Sequence, residues 1–382
     1  MPALLPEIDP DGLLEFSVVY TDRALNHMSK RFQGVMKDIS SMLKEVYGAE
    51  ATALIPGSGT FGMEAVARQF ANDQKVLIVR NGFFSFRWSQ ILETGKITSP
   101  ENITVLKARQ IGDDAQAPWA PAPVEEVVAA IAREKPAVVF APHVETASGI
   151  LLPDDYLRQV AEATQKAGGL FVLDCIASGA VWVDMRAIGV DVLVSAPQKG
   201  WSSQPACAMV CFSPRALQVM ESTSSTSFAC DLKKWHQIMQ SYETGSHAYH
   251  ATMPTMALQG LRDVMLETRA YGFDKVRDEQ IELGRKVREL FESRGFPSVA
   301  ADGYKAPGVV VSYTTDPDIH SGKKFIEAGL QTASGVPLMC DERADFRTFR
   351  IGLFGLDKWH DADRSVAQLA AALDKVAQPV AA

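Results

Sequence analysis

The chain has 382 residues, of which 47% are hydrophobic and 22% charged, with a mean hydropathy close to zero. This balance is typical of a globular protein of about two domains and excludes a disordered or fibrous chain. The formal net charge of -8 and the lack of a block of basic residues argue against nucleic-acid binding, so small molecules or proteins are the expected partners.

The sequence contains no apolar run of about 18 residues, the length that a membrane-spanning helix needs. Its first residues, MPALLPEIDPDG, carry acids and prolines where a signal peptide carries basic residues and an apolar stretch. We therefore expect a cytoplasmic protein that makes no contact with membranes.

The cysteines are few, odd in number and set among apolar residues, which predicts buried reduced thiols rather than disulfides: Cys175, Cys207, Cys211, Cys230 and Cys340. Cys207 and Cys211 are four residues apart, so they lie on one face of a predicted strand. A metal site would need further ligands close by, and none is predicted.

From residue 51 onwards, short apolar runs alternate with amphipathic segments. Each run has the length of a strand, is rich in Val, Ile, Leu and Phe, and ends in a cluster of small or turn-forming residues. The seven runs, with the residues that end them, are ATALIPGSGT, KVLIVRNG, ITVLKA, AVVFAPHVE, LFVLDCIAS, VDVLVSAPQKG and CAMVCFSP. The segments between them repeat apolar residues at helical spacing, so the pattern predicts an α/β domain with a mostly parallel, seven-stranded sheet covered by helices.

Beyond residue 254 the pattern changes to one long helical stretch followed by shorter elements such as GVVVSYT and FRTFRIGLFG. We interpret this region as a connecting helix and a smaller C-terminal α+β domain. The predicted organisation is an N-terminal arm over residues 1–30, a large domain over 31–255, and the connecting helix with the small domain over 256–382.

Three polar features stand at the carboxyl ends of predicted strands, where ligands bind in open α/β sheets. The first is GSGT, with Ser58, Gly59 and Thr60 between a strand and a helix. Backbone amides, two hydroxyls and the unpaired N–H groups of a helix start would suit a phosphate group. The alternative is a turn that uses Gly and Ser only for steric and capping reasons.

The second feature is Asp174, at the end of the apolar run LFVLD, where burial of a carboxylate is costly without a partner. It either caps a helix or pairs with a protonated ring nitrogen of a cofactor. The third is Lys199, which follows the next strand in a loop of small residues. It is either an ordinary solvated lysine or an amine of lowered pKa that attacks a carbonyl.

Together these features match pyridoxal 5'-phosphate, which has a phosphate to bind, a pyridine nitrogen to keep protonated and an aldehyde that forms a Schiff base with a lysine. The stretch LDCIASGAVWVDMRAIGVDVLVSAPQKG resembles fold-type I pyridoxal-phosphate enzymes, specifically class V aminotransferases of the alanine–glyoxylate and serine–pyruvate group. The resemblance extends over residues 35–375.

The resemblance implies the Schiff base at Lys199, which also moves the proton, and a contact of Asp174 with the ring nitrogen. It implies a further set of cofactor contacts. Ile176 and Phe84 would pack on the two ring faces, Thr146 would bind the phenolic oxygen, and Ser58, Gly59, Thr60 and Gln198 would bind the phosphate.

The resemblance also implies that Tyr249 and Thr252, in YHATMP, reach the phosphate bound by a second subunit, which predicts a homodimer with shared active sites. Arg350, in FRIGLFG, would bind the substrate carboxylate through its two-pronged guanidinium. The alternative for Arg350 is a surface salt bridge.

The predicted activity is transamination between a small amino acid and a 2-oxo acid, pyruvate or glyoxylate by resemblance. One alternative is a pyridoxal-phosphate-dependent lyase or a cysteine desulfurase, for which Cys340 in PLMCDER is the candidate nucleophile. A second alternative is a non-catalytic binding or regulatory protein on the same fold.

Overall fold

The computed structural model describes residues 8, 9, 11 and 13–376. The strands are β1 (Ala51–Pro56), β2 (Val76–Arg80), β3 (Ile103–Lys107), β4 (Arg109–Gln110), β5 (Trp119–Ala120), β6 (Val138–Pro142), β7 (Val144–Glu145), β8 (Ile150–Leu151), β9 (Leu170–Asp174), β10 (Val192–Ser195), β11 (Cys207–Phe212), β12 (Val309–Tyr313), β13 (Ala333–Ser334) and β14 (Thr348–Gly352).

The helices follow the same chain order. They are α1 (Lys30–Tyr47), α2 (Gly59–Phe70), α3 (Phe83–Thr94), α4 (Val124–Glu134), α5 (Asp154–Lys166), α6 (Met185–Ile188), α7 (Pro214–Ser222), α8 (Leu232–Glu243), α9 (Thr255–Tyr271), α10 (Phe273–Ser293), α11 (Pro317–His320), α12 (Lys323–Glu327), α13 (Leu356–Trp359) and α14 (Ala362–Val376). A short 3-10 turn lies at Pro100–Asn102.

The main sheet has seven strands in the order β1-β11-β10-β9-β6-β2-β3. Strands β10, β9, β6, β2 and β3 pair in parallel, and β11 pairs antiparallel with both β1 and β10. All seven apolar runs of the sequence are strands of this sheet, which confirms the predicted α/β fold. Their side chains are apolar on both faces because helices cover the sheet: α2 contacts β10, α3 contacts β2, and α5 contacts β9.

The long helical stretch after residue 254 is divided in two, which corrects the prediction of one connecting helix. Gly272 separates α9 from α10 and has φ 108, a backbone conformation that L residues with a side chain rarely adopt. The two helices bury different cores. Helix α9 places Leu258 and Met265 in the core around the large sheet, whereas α10 places Leu283 and Phe291 in the core of the C-terminal region.

The C-terminal region contains a three-stranded antiparallel sheet in the order β12-β14-β13, on which α10 and α14 pack. A third apolar cluster joins the two regions and includes Val144 and Ile150 beside Val309 and Val311. Val311 lies opposite Arg350 in the pairing of β12 with β14, so this shared cluster holds β14 near the ends of the large sheet.

The predicted domain limits at residues 30 and 255 stay predictions. Residues 1–7, 10, 12 and 377–382 of the outer two segments lie outside the described residues. No helix in the described part is long and apolar enough to span a bilayer.

Candidate active site

The site lies at the carboxyl ends of two neighbouring parallel strands. Asp174 is the last residue of β9 and pairs with Val194 of β10, after which the chain turns into the loop that carries Lys199. Because both strands end at one edge of the sheet, residues 25 positions apart in sequence line one cavity of about 170 Å³. Nine of the predicted site residues line it: Ser58, Gly59, Thr60, Phe84, Thr146, Asp174, Ile176, Gln198 and Lys199.

Asp174 is a buried carboxylate with few polar partners within the chain. Its side chain is 7% exposed and its Oδ1 accepts one hydrogen bond, from the Ile176 N–H at 2.9 Å. Burial raises the pKa of Asp174 to about 6, against the smaller lowering effects of that hydrogen bond and of Lys199. No ion pair within 4 Å involves Asp174 in the described chain, so its carboxylate is suited to a cationic N–H group that enters the cavity.

Lys199 lies between two aromatic rings. Its Nζ is 5.9 Å from the Phe84 ring centroid and 5.6 Å from that of Phe354. Burial lowers the pKa of Lys199; Asp174 opposes this effect, and the positive charge of Arg350 adds to it. An amine in this setting spends more time neutral, and therefore nucleophilic, than an exposed lysine does.

A close contact between loops fixes the turn that carries Lys199. A Cβ at Gly200 would lie 2.1 Å from the Gly179 carbonyl oxygen, so only glycine lets the two loops approach in this way. Gly179 belongs to the loop after Asp174. The loops that carry the acid and the amine are thus packed directly against each other.

Ser58, Gly59 and Thr60 form the phosphate loop at the start of α2. Ser58 stands at the N-cap position, yet its side chain makes no capping hydrogen bond, so its hydroxyl stays uncommitted. A Cβ at Gly59 would lie 2.4 Å from Cδ1 of Ile176, and glycine there keeps room for that side chain at the cavity wall. The donors that meet here, hydroxyls and helix N–H groups, suit an anion.

Glu145 is a site residue that the sequence analysis missed. It is fully buried, and its carboxylate accepts hydrogen bonds from the Phe84 N–H at 3.2 Å, the Ser85 N–H at 2.8 Å and the Ser85 hydroxyl at 2.7 Å. These bonds satisfy the first amides of α3 and fix the position of the Phe84 ring. An acid between apolar residues in PHVETAS was the one signal available.

Arg350 comes from β14 of the small sheet and lies near the cavity without being one of its lining residues. Its Nε donates to the Ser334 carbonyl oxygen at 2.8 Å, and its guanidinium carbon is 5.5 Å from the Phe84 ring centroid. Burial lowers the pKa of Arg350, while Glu145 opposes this effect. Among the described residues no carboxylate forms an ion pair with Arg350. The guanidinium N–H groups that do not bind Ser334 can therefore receive an anion.

Tyr249 and Thr252 do not line this cavity. They contact each other, with 3.1 Å between Tyr249 Oη and Thr252 Oγ1, and Tyr249 is 55% exposed. Within one chain they are apart from the phosphate loop, and their predicted contact with a second subunit stays a prediction.

Cys340 is 4% exposed, and its Sγ lies 3.5 Å from the Arg80 carbonyl oxygen. Burial raises the pKa of Cys340 to about 12. A thiol in this state is a poor nucleophile at neutral pH, since the thiolate is the reactive form.

Comparisons with known proteins agree with this geometry. The chain is 30% identical over 335 residues to a 2-aminoethylphosphonate–pyruvate transaminase of Burkholderia ambifaria, covering 86% of this chain and 84% of the relative. It is 27% identical over 268 residues to an L-aspartate–glyoxylate aminotransferase of Paracoccus denitrificans, covering 69% and 62% of the two chains.

A crystal structure of an alanine–glyoxylate aminotransferase from Nostoc sp. superposes with a TM-score of 0.78 at 22% identity, covering 92% of this chain and 89% of the other. The family model described as Aminotransferase class-V matches residues 14–330. The chain therefore belongs to the class V aminotransferase family, which confirms the family and enzyme class predicted from the sequence.

Proposed function

We propose that this enzyme binds pyridoxal 5'-phosphate and transfers an amino group from a small amino acid to a 2-oxo acid, with pyruvate and glyoxylate as the first acceptors to test. The observation that carries the proposal is the meeting of Asp174 and Lys199 in one cavity, beside the phosphate loop. Relatives whose names include pyruvate and glyoxylate support the acceptor class.

The residues present fit the cofactor. A buried carboxylate without a cation, a lysine of lowered pKa and an uncommitted serine hydroxyl line the same cavity of about 170 Å³. They match the ring nitrogen, the aldehyde and the phosphate of pyridoxal phosphate respectively. When bound, the cofactor supplies an aldehyde that links to amines and a protonated ring that withdraws electrons from the substrate Cα.

Asp174 would keep the ring nitrogen protonated, because its carboxylate gains a cationic partner that it lacks in the chain itself. Phe84 and Ile176 would confine the ring between two apolar surfaces and exclude water from it. Thr146 would donate its hydroxyl to the phenolic oxygen, and Gln198 would add a donor beside the phosphate.

Lys199 would accept the proton from the substrate Cα and then donate it to the carbon of the cofactor that carried the aldehyde. Its lowered pKa favours this role, because a general base must be neutral at the working pH. The contact of Gly200 with the Gly179 loop fixes the position of the loop that carries this amine.

Arg350 would bind the substrate carboxylate with the donors that Ser334 does not use. Fixing the carboxylate fixes which Cα bond stands perpendicular to the ring, and that geometry selects proton removal over loss of carbon dioxide.

We further propose a homodimer in which Tyr249 and Thr252 reach the phosphate site of the partner. The exposure of the Tyr249 ring supports this assembly. The cytoplasmic location predicted from the sequence stays a prediction.

The test is a half-reaction. The holoprotein is mixed with single amino acids, without an acceptor, while its visible absorbance and the 2-oxo acid released are measured. We expect that one of the amino acids abolishes the visible absorbance band of the bound cofactor and releases about one 2-oxo acid per cofactor. Addition of pyruvate or glyoxylate should then restore the band. A protein that takes up no cofactor, or keeps its band with every donor, contradicts the proposal.

A further inference from the structure

A third cation at the site has no role in the mechanism above. Arg87 lines the cavity, and its guanidinium carbon lies 5.2 Å from the Phe84 ring centroid. Lys199 and Arg350 approach the same ring at 5.9 Å and 5.5 Å. Three basic side chains therefore surround the aromatic surface of the site, and the proposed reaction uses two of them.

Arg87 is held in place without a carboxylate partner. It lies one turn after Phe84 on α3, so the two side chains share a helix face, and the cation is attracted to the ring. Glu145 binds the first amides of that helix and fixes its start. In the described part of the chain, no acidic group lies within ion-pair distance of the Arg87 guanidinium.

The hydrogen bond of Arg87 is directed at the phosphate loop. Its Nη1 donates to Thr60 Oγ1 at 3.0 Å. A hydroxyl that accepts a hydrogen bond from a cation keeps its own hydrogen for another acceptor, so the Thr60 O–H is free to donate into the cavity. Ser58 makes no capping hydrogen bond, so its hydroxyl is a second donor for the cavity.

The phosphate loop itself carries no formal charge. Its donors are hydroxyls and the partial charges of a helix start, whereas a phosphate ester carries a charge close to -2 at neutral pH. Arg87 stands next to that loop, and Arg350 is bonded to Ser334 of the small sheet. The charge balance therefore favours Arg87, rather than Arg350, as the partner of the phosphate.

We infer that Arg87 forms the charged wall of the phosphate subsite, binding the phosphate of the cofactor directly and setting Thr60 to donate to the same group. This inference rests on the proposed binding of pyridoxal phosphate. It assigns Arg87 to the cofactor, and not to the substrate anion.

The test compares two ligands that differ only in the phosphate. Full-length protein freed of its cofactor, as the wild type and as Arg87→Met, Arg87→Lys and Arg133→Met, is dialysed against graded concentrations of pyridoxal phosphate or pyridoxal, and bound ligand is measured by absorbance. Arg133 is the matched control, an exposed arginine of α4 that pairs with Glu134.

We expect Arg87→Met to raise the dissociation constant of pyridoxal phosphate about 10- to 100-fold, the range for a lost hydrogen bond to a charged group. Its dissociation constant for pyridoxal should change less than about threefold, since that ligand lacks the phosphate. Arg87→Lys keeps the charge, so its dissociation constant for pyridoxal phosphate should lie between those of the wild type and Arg87→Met. Arg133→Met should match the wild type.

Equal weakening of both ligands would overturn the inference, because Arg87 would then act through the position of Phe84. Unchanged affinity for pyridoxal phosphate in Arg87→Met would also overturn it. A separate result, failure of the wild type to bind either ligand, would reject the proposed function itself. Thermal unfolding of each variant checks its fold, and Arg87→Lys keeps the test decisive if the methionine variant does not fold.

Discussion

The two sides of the cavity are built differently. On the large-domain side, Asp174 and the loop of Lys199 follow paired parallel strands in the middle of a buried seven-stranded sheet. On the small-domain side, Arg350 lies on β14 beside the two-residue strand β13, which is exposed, and holds one hydrogen bond to Ser334. From this difference we expect a rigid half that holds the proposed cofactor and a more adaptable half that selects the substrate.

The largest effect should come from the rigid half. Lys199→Ala removes the proposed proton-transfer group, and we expect kcat to fall by about 10⁴-fold. Lys166→Ala, at an exposed end of α5, is the control and should leave kcat unchanged. Activity of Lys199→Ala within about tenfold of the wild type would show that the buried amine is not the base.

Asp174→Asn should lower kcat/KM by about 10²- to 10³-fold, because a neutral amide cannot hold a protonated ring nitrogen. The asparagine oxygen can still accept the Ile176 N–H, so the local turn should persist. Steady-state assays at saturating cofactor would measure the loss, and a variant as active as the wild type would contradict the assigned role.

The same substitution should stabilise the protein without its cofactor. Burial raises the pKa of Asp174 from 3.8 to about 6, so the folded state binds the proton more tightly than the unfolded chain. The free energy of unfolding therefore falls by about 3 kcal/mol as the pH rises from about 3, below both pKa values, to about 7, above both. Denaturant unfolding of the cofactor-free proteins should show Asp174→Asn to be more stable than the wild type at pH 8, with most of this difference lost near pH 4. The same difference between variant and wild type at both pH values would contradict a buried charge at Asp174.

A smaller and more selective effect is expected on the adaptable half. Arg350→Lys keeps the charge but loses the two-pronged geometry, so KM for the amino acid should rise about 10- to 100-fold with a smaller change in kcat. Arg347→Lys, three residues before it and just ahead of β14, is the matched control; Arg347 donates to the Thr315 carbonyl oxygen. A loss confined to kcat would place Arg350 outside the carboxylate site.

The smallest effect should come from Cys340→Ala. The thiol is buried and has a pKa of about 12, so its removal should change transamination by less than about twofold. Release of sulfide from cysteine that disappears in this variant would instead support the desulfurase alternative.

The contrast between the halves also explains what could be predicted from sequence. Asp174 and Lys199 follow runs of buried strand residues, and the edge of a parallel sheet is fixed once the strands are recognised. Arg350 carries no such local signal, and its assignment came from family resemblance alone. Its position depends on the pairing of β14 with β12, whose Val309 and Val311 lie in the third apolar cluster.

Other features depend on contacts that no local pattern encodes. Glu145 acts on residues 60 positions away, and Arg87 reads as an ordinary polar position of an amphipathic helix. The break at Gly272 was missed because apolar residues continue at helical spacing on both sides of it. In each case tertiary packing, rather than local sequence, decides the outcome.

The central claim, that Lys199 is the amine that links to pyridoxal phosphate, can be tested directly. The holoprotein is reduced with borohydride, digested and analysed by mass spectrometry for a pyridoxyl group on lysine. The account predicts the label on the peptide that contains Lys199, and its absence from that position in Lys199→Ala. A label on another lysine, or no label after incubation with pyridoxal phosphate, would contradict it.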